Sequence, residues 1–127
     1  AGDEKGMAEC LIVGIGGFIG AVCRYLIGLI PISEGCVFPV KTFAINIIGS
    51  FLIGVIAALA VKNNFFNPKM VLFLKVGICG GFTTFSSFVL ETGNLWEGGH
   101  AVAASLYVIL SVTLGVFAVF AGQAVVR

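Results

Sequence analysis

The sequence predicts an all-α integral membrane protein with four transmembrane helices, the third of which is broken at residues 80–84. Four apolar windows each reach the roughly 20 residues that a spanning helix needs. Only 10% of the residues are charged and the mean hydropathy is +1.14, whereas about a quarter of the residues of a soluble domain are charged. Paired glycines followed by paired threonines interrupt the third window, which predicts the break.

The 127 residues form a single membrane domain in this interpretation. The four spans are expected at about 8–30, 42–61, 70–96 and 100–126, after a flexible tail at 1–6. Four spans place both termini on one side of the membrane, and an excess of Lys and Arg on that side favours the cytoplasm. The net charge of +1 and the scattered basic residues provide no surface for nucleic acid.

Glycines and one arginine share a stripe of the first span. Gly16, Gly20, Arg24 and Gly28 recur every four residues, so another helix can approach closely. Arg24 should face protein or the membrane interface, where it either snorkels from the helix end or makes a structural hydrogen bond. The surrounding glycines resemble a dinucleotide-binding loop, but the third glycine is one place late and no acidic partner follows, which excludes that site.

The second and fourth spans carry polar stripes. Asn46 and Ser50 lie four residues apart in the second span, and Tyr107, Ser111 and Gly115 follow the same spacing in the fourth. An amide inside a spanning helix is costly unless it is hydrogen-bonded. Asn46 therefore either makes an interhelical hydrogen bond or lines a polar path, and the fourth-span stripe should face protein.

Two ionisable residues flank the break, Lys75 before it and Glu91 after it. Ionisable residues inside a membrane are rare and need a partner. The two side chains could pair with each other, although they flank opposite ends of the break, or each could reach a headgroup layer.

The segment 80–88 has the sequence Gly-Gly-Phe-Thr-Thr-Phe-Ser-Ser-Phe. Adjacent glycines weaken a helix, and threonine hydroxyls can bond to the backbone groups that a break frees. The three phenylalanines recur every third residue, which keeps them near one face of the resumed helix. Non-helical backbone at bilayer depth persists only beside protein or a water-filled cavity, so this segment is the candidate site.

The side chains available to this site are hydroxyls, one amide and phenyl rings, all of them neutral. The one histidine, His100, lies near the turn at the start of the fourth span, and no Ser–His or Cys–His pair occurs at helical spacing, which argues against catalysis. The four cysteines show no metal-binding spacing. Hydroxyl and amide donors, the positive edges of phenyl rings and a helix N-terminus can together solvate a small anion. From spacing alone, the phenyl rings could equally be residues that pack in the protein core.

The segment 80–88 closely resembles the signature of the Fluc (CrcB) fluoride channels, and the Gly-rich first span with Arg24, the second span with Asn46 and the chain length are also similar to that family. The resemblance implies a fluoride-selective channel, not an enzyme, in the inner or plasma membrane of a microbe. It also implies an antiparallel, dual-topology homodimer with two pores, in which a second copy of the chain is inverted. A heterodimer of two oppositely oriented chains is the alternative, because dual topology requires little charge bias.

The resemblance also implies roles for individual residues. Fluoride would lie between the edges of Phe85 and Phe88, with Asn46 as a polar contact. Further pore residues would be Thr84, Ser86, Ser87, Tyr107 and Ser111. A structural sodium ion at the dimer centre would be bound by the backbone carbonyls of Gly80 and Thr83, and Glu91 matches an acidic position near the pore.

Two other functions are alternatives. A small four-helix proton-coupled multidrug antiporter is similar in size but needs an essential membrane carboxylate. Glu9 and Glu91 are its candidates. A structural or assembly subunit that transports nothing is the third reading.

Overall fold

The structure is a computed structural model that describes residues 2–32, 35–62 and 66–127. All regular structure in this part of the chain is helical. The first two helices are α1 (Gly2–Gly28) and α2 (Val40–Val61), and the last is α6 (Ala101–Val126). The third span consists of α3 (Pro68–Val71), a π-helix (Leu72–Cys79), α4 (Gly80–Phe82) and α5 (Phe85–Glu97).

Four helical stretches are long and apolar enough to cross a membrane, as the sequence predicts. They are Asp3–Gly28, Val40–Val61, Pro68–Glu97 and Ala101–Val126. Between 11 and 22% of the most apolar window of each stretch is buried within the chain. The remaining apolar surface is therefore available to lipid or to another protein.

The prediction of a flexible tail at residues 1–6 is wrong for residues 2–6, which the structure describes, because α1 begins at Gly2. Asp3 and Glu4 lie in its first turn. Acidic side chains there interact favourably with the positive end of the helix dipole, which stabilises this extension of the first span.

The break in the third span is narrower than the sequence predicts. Only Thr83 (φ −79°, ψ 156°) and Thr84 (φ −146°, ψ 119°) have extended backbone. Gly80 and Gly81 are helical, so the expected break at 80–84 is corrected to 83–84. Close packing explains why residue 81 is a glycine, since a Cβ atom at this position would overlap the carbonyl oxygen of Gly17 in α1.

A π-helix precedes this break, and the sequence analysis missed it. The N–H of Gly80 donates to the carbonyl oxygen of Lys75, five residues earlier, which is the π-helical pattern. Most π-helical segments are single-turn bulges that occur at functional sites. The eight-residue segment Leu72–Cys79 leads directly to the candidate site.

Glycines allow two pairs of helices to pack with their backbones close together. The first span packs against the π-helix and α4, where a Cβ atom on Gly16 or Gly20 would overlap backbone of the third span. In the second pair, α2 packs against α6, and Gly54 and Gly122 occupy the contact. The broken span therefore packs directly against α1, and it also contacts α2 and α6 of the second pair.

A small core lies beside the break. Its buried members come from α5 and α6, and partly buried residues from the first loop, α2 and α6 pack against them. The buried members are Phe88, Leu95, Ala104 and Tyr107, and the partly buried ones are Phe38, Phe43 and Ala103. The core therefore fixes the position of the helix that follows the break.

Two glycines of α1 provide a matched test of this packing. A Cβ atom on Gly20 would lie 2.7 Å from the Phe82 nitrogen, whereas one on Gly14 would meet nothing within 4 Å. We expect Gly20→Ala to destabilise the protein by about 1–3 kcal/mol through overpacking. Gly14→Ala should be neutral or slightly stabilising, because alanine favours a helix. Thermal unfolding of both variants in detergent measures the difference, and equal melting temperatures would contradict the packing.

Candidate functional site

The side chain of Asn46 holds the break in place. Its Nδ2 donates to the carbonyl oxygen of Thr84 at 3.0 Å, and its Oδ1 accepts from the Thr84 N–H at 2.8 Å. A single amide therefore satisfies both backbone groups of the more extended residue. The structure shows the interhelical hydrogen bond that the sequence allowed, and the same side chain also lines a cavity.

Other side chains satisfy the remaining groups around the break. The Thr83 hydroxyl donates to the Cys79 carbonyl at 2.8 Å, and the Thr84 hydroxyl accepts from the Ser87 N–H at 3.2 Å as the N-cap of α5. Arg24 Nε donates to the Gly81 carbonyl at 3.2 Å. Arg24 thus makes the structural hydrogen bond that was one of the two alternatives predicted from the sequence. The Thr84 side chain caps the N-terminus of α5.

An open cavity of 370 Å³, here named the hinge cavity, adjoins the break. Three elements line it: α2, the third span and α6. Its residues are Asn46, Gly49, Ser50, Ile53, Lys75, Cys79, Gly80, Thr83, Thr84, Phe85, Phe88, Ser111 and Val112. One hydroxyl in its wall, Ser111 Oγ, is buried without a hydrogen-bond partner in the described part of the chain. Such an atom is a candidate ligand group.

Aromatic rings form a continuous row at one end of the hinge cavity. The rings of Phe85 and Phe88 are 5.8 Å apart, and Phe88 meets Tyr107 edge-on at 4.9 Å. Tyr107 in turn meets Phe38 at 5.3 Å. Phe88 and Tyr107 are buried, but Phe85 is 76% exposed. The row therefore fixes Phe88 and leaves Phe85 projecting from the surface.

Glu91 connects three helices on the other side of the break. Its Oε1 accepts from the Tyr107 hydroxyl at 2.8 Å, and its Oε2 accepts from the Thr42 hydroxyl at 2.9 Å. No hydrogen bond or ion pair joins Glu91 to Lys75, both of which lie within the described residues. The carboxylate is bonded to two neutral donors instead, and hydrogen bonds to a charged group are stronger than neutral ones.

A second cavity of 330 Å³, here named the vestibule, contains Glu91. Two cationic side chains and several hydroxyls also line it. Its residues are Arg24, Tyr25, Gly28, Leu29, Lys41, Thr42, Ile45, Thr84, Ser87 and Glu91. Lys41 is fixed by donating from Nζ to the Gly28 carbonyl at 2.7 Å, at the C-terminal end of α1. Thr84 lines both cavities, so the break lies between them.

The structure brings together part of the predicted pore set. The hinge cavity gathers Asn46, Thr84, Phe85, Phe88 and Ser111, together with the predicted metal-site residues Gly80 and Thr83. Ser87 lines the vestibule instead. Tyr107 contacts the site through Glu91 and Phe88, and exposed Ser86 lies with its hydroxyl 3.4 Å from that of Thr84.

Thr42 and Cys79 were missed by the sequence analysis. Thr42 bonds to Glu91, and Cys79 is a buried free thiol in the hinge cavity. Ser50, which the sequence analysis placed on one stripe with Asn46, donates back to the Asn46 carbonyl at 2.7 Å. Thr42 and Cys79 carried no such signal, because their roles depend on which helices become neighbours.

Comparisons with known proteins give one family. Residues 11–123 match the model of the family described as CrcB-like protein, Camphor Resistance (CrcB). A protein of Chlorobaculum tepidum is 48% identical over 116 residues, which cover 91% of this chain and 92% of the relative. One of Rhizobium etli is 43% identical over 122 residues, covering 95% and 98%. Both relatives are named fluoride-specific ion channel FluC.

The bonds of Glu91 can be tested with a matched pair of tyrosines. We expect Tyr107→Phe to destabilise the protein by about 1–3 kcal/mol, because the carboxylate loses a donor while the ring stays in the aromatic row. Tyr25→Phe is the control, since this tyrosine is 65% exposed and its hydroxyl makes no hydrogen bond within the described residues. Thermal unfolding in detergent measures both, and an equal response of the two variants would contradict the bond.

Proposed function

The chain belongs to the CrcB-like family, and we propose from this membership that it is a fluoride-specific ion channel. It is a multi-pass membrane protein that lets the anion cross the membrane passively, and it is not an enzyme. The observation that carries the proposal is the hinge cavity beside the break in the third span, because an amide, several hydroxyls and the rings of Phe85 and Phe88 line it together. These groups suit a small anion better than they suit a cation or an organic substrate.

The physical problem for such a channel is dehydration of the ion. Moving a small ion from water to a low-dielectric interior costs on the order of 20 kcal/mol. In the proposed path, hydroxyls, the Asn46 amide, the N-terminus of α5 and the edges of Phe85 and Phe88 replace the lost water. Because Asn46 and Phe88 are fixed by their own contacts, they fit a small anion without reorganising. Donors this closely placed would not satisfy a larger halide.

The multidrug antiporter finds no support. The named relatives are fluoride-specific ion channels, and both oxygens of Glu91 already accept hydrogen bonds from Thr42 and Tyr107. Glu9, the other candidate carboxylate, is exposed on α1 and lines neither cavity.

We propose that a second, inverted copy of the chain completes each pore, in an antiparallel dual-topology homodimer. The openness of the hinge cavity and the 76% exposure of Phe85 support this assembly, because a ring edge in contact with lipid could not solvate an ion. Most of the apolar surface of each span is not buried within the chain, so it is available to such a partner. A heterodimer of oppositely oriented chains is the alternative.

We propose Gly80 and Thr83 as the carbonyl ligands of a structural sodium ion. Among the described residues, hydrogen bonds at the break engage the carbonyls of Cys79, Gly81 and Thr84 but not those of Gly80 and Thr83. Thr83 is unwound, and the Gly80 carbonyl is left free because the helix ends at Phe82. Free backbone carbonyls at a broken membrane helix are suitable ligands for sodium. The ion would add positive charge and hold the two breaks together at the dimer centre.

Substitutions in the hinge cavity test the fluoride path. We expect Phe85→Ile and Phe88→Ile to lower the fluoride flux roughly tenfold, about 1.4 kcal/mol of barrier, by removing a ring edge. Asn46→Asp should abolish flux, because a carboxylate repels the anion and cannot donate to the Thr84 carbonyl. A fluoride electrode measures efflux from proteoliposomes, with chloride as the second ion. Phe18→Ile, at an exposed ring of α1, is the control, and unchanged efflux in all three variants would show that the site is wrongly assigned.

The topology of a C-terminal tag tests the inverted homodimer. If the assembly is a dual-topology homodimer, an external protease should remove the tag from about half of the chains in sealed vesicles. Removal from all or none of the chains would favour a single orientation and a different partner. Detergent-permeabilised vesicles, in which every tag should be cut, provide the control.

A further inference from the structure

Lys75 lies inside the third span, seven residues after this span begins at Pro68. It is the eighth of the 30 residues of this span, so it lies within the first third of the span's length. Ionisable residues within a membrane span face a polar cavity or a partner, because contact with lipid is costly. The side chain of Lys75 is exposed, and it makes no hydrogen bond or ion pair within the described residues.

The π-helix turns Lys75 towards the hinge cavity. The N–H of Gly80 bonds to the carbonyl oxygen of Lys75, which stacks residue 80 above residue 75. In an α-helix, residues five apart point about 140° away from each other. Lys75, Cys79 and Gly80 therefore share the face that lines the cavity, and the unusual helix type is the reason.

The ammonium group of Lys75 differs from the other cations near the break. Arg24 donates to the Gly81 carbonyl and Lys41 donates to the Gly28 carbonyl, so both are held by backbone. Lys75 shares its cavity with Ser111, whose hydroxyl is buried without a partner in the described part of the chain. The hinge cavity thus contains a cation and a hydroxyl that are both available to an anion.

We infer that Lys75 is a rate-determining residue of the anion path, whose charge concentrates fluoride in the hinge cavity. The inference rests on the proposed function and adds a charge to a path whose other donors are neutral. A fixed charge in a cleft with low-dielectric walls raises the local concentration of counter-ions roughly 10- to 1,000-fold. An ammonium on a flexible, strongly hydrated stem can attract an anion without holding it in one geometry.

Three substitutions of Lys75 separate charge from size. Lys75→Met removes the charge at similar length, Lys75→Arg keeps it, and Lys75→Glu reverses it. Lys69→Met is the matched control, because Lys69 is an exposed cation of the same span outside the hinge cavity. Fluoride efflux from proteoliposomes is measured at low and high fluoride and at two concentrations of an impermeant salt. Size-exclusion chromatography first establishes that each variant has the wild-type oligomeric state.

We expect Lys75→Met to lower efflux roughly tenfold at low fluoride, and less at high fluoride or high salt, because added ions screen the charge. Lys75→Glu should be slower still, whereas Lys75→Arg and Lys69→Met should stay within about twofold of the wild type. Chloride exclusion should be unchanged in all four. Wild-type rates for Lys75→Met, or an equal loss in Lys75→Arg, would overturn the inference while leaving the channel assignment intact. A wild-type protein that passes no fluoride would overturn the proposed function itself.

Discussion

The pairing of the Asn46 amide with the backbone of Thr84 is the interaction on which the site depends. A helix that stops at membrane depth frees N–H and C=O groups that have no water to bond to, and each would cost several kcal/mol in hydrocarbon. Asn46 satisfies two such groups with one side chain. Its own position is fixed because α2 packs closely on α6 through Gly54 and Gly122. In the same helix, Gly49 packs directly on the side chain of Thr83, so glycine contacts also bring α2 close to the break.

Two charged residues near the break also make hydrogen bonds that connect helices. Arg24 compensates the Gly81 carbonyl and connects α1 to the broken span. Glu91 accepts from two hydroxyls on different helices and so connects α2, α5 and α6. Neither residue forms an ion pair within the described residues. The electrostatic potential in each cavity therefore comes from dipoles and from single, unpaired charges. In a low-dielectric surrounding, each such charge interacts strongly with an ion.

The sequence predicts the class of fold well because the membrane imposes it. Four apolar windows need four helices, and paired threonines after paired glycines need an interruption. The exact form of the interruption depends on neighbours. Gly80 and Gly81 look like helix breakers in isolation, yet they are helical, because the absent Cβ of Gly81 admits the backbone of Gly17. Packing overrides the local preference, and only Thr83 and Thr84 leave the helix.

The candidate site likewise has some residues that the sequence marks and others whose role depends on neighbouring helices. The regular spacing of polar and aromatic groups in apolar helices marks Asn46, Phe85, Phe88 and Ser111 in the sequence, and all four line the hinge cavity. Their roles towards an ion rest on the family resemblance and not on spacing. Ser87 was grouped with them by sequence, but the first turn of α5 directs it into the vestibule. Thr42 could not be predicted, since its role exists only once α2 and α5 are neighbours. The π-helix could not be predicted either, because no feature of the residue spacing in Leu72–Cys79 marks it.

Thr84 is where these constraints meet. Its backbone is bonded to Asn46, its hydroxyl caps α5, and it lines both the hinge cavity and the vestibule. An ion moving between the cavities would therefore pass a residue whose backbone groups are already satisfied and cannot trap it. The groups that remain free around this point divide by sign: the carbonyl oxygens of Gly80 and Thr83 suit a cation, whereas the ring edges and the N-terminus of α5 suit an anion. A break of only two residues therefore places the two kinds of group next to each other.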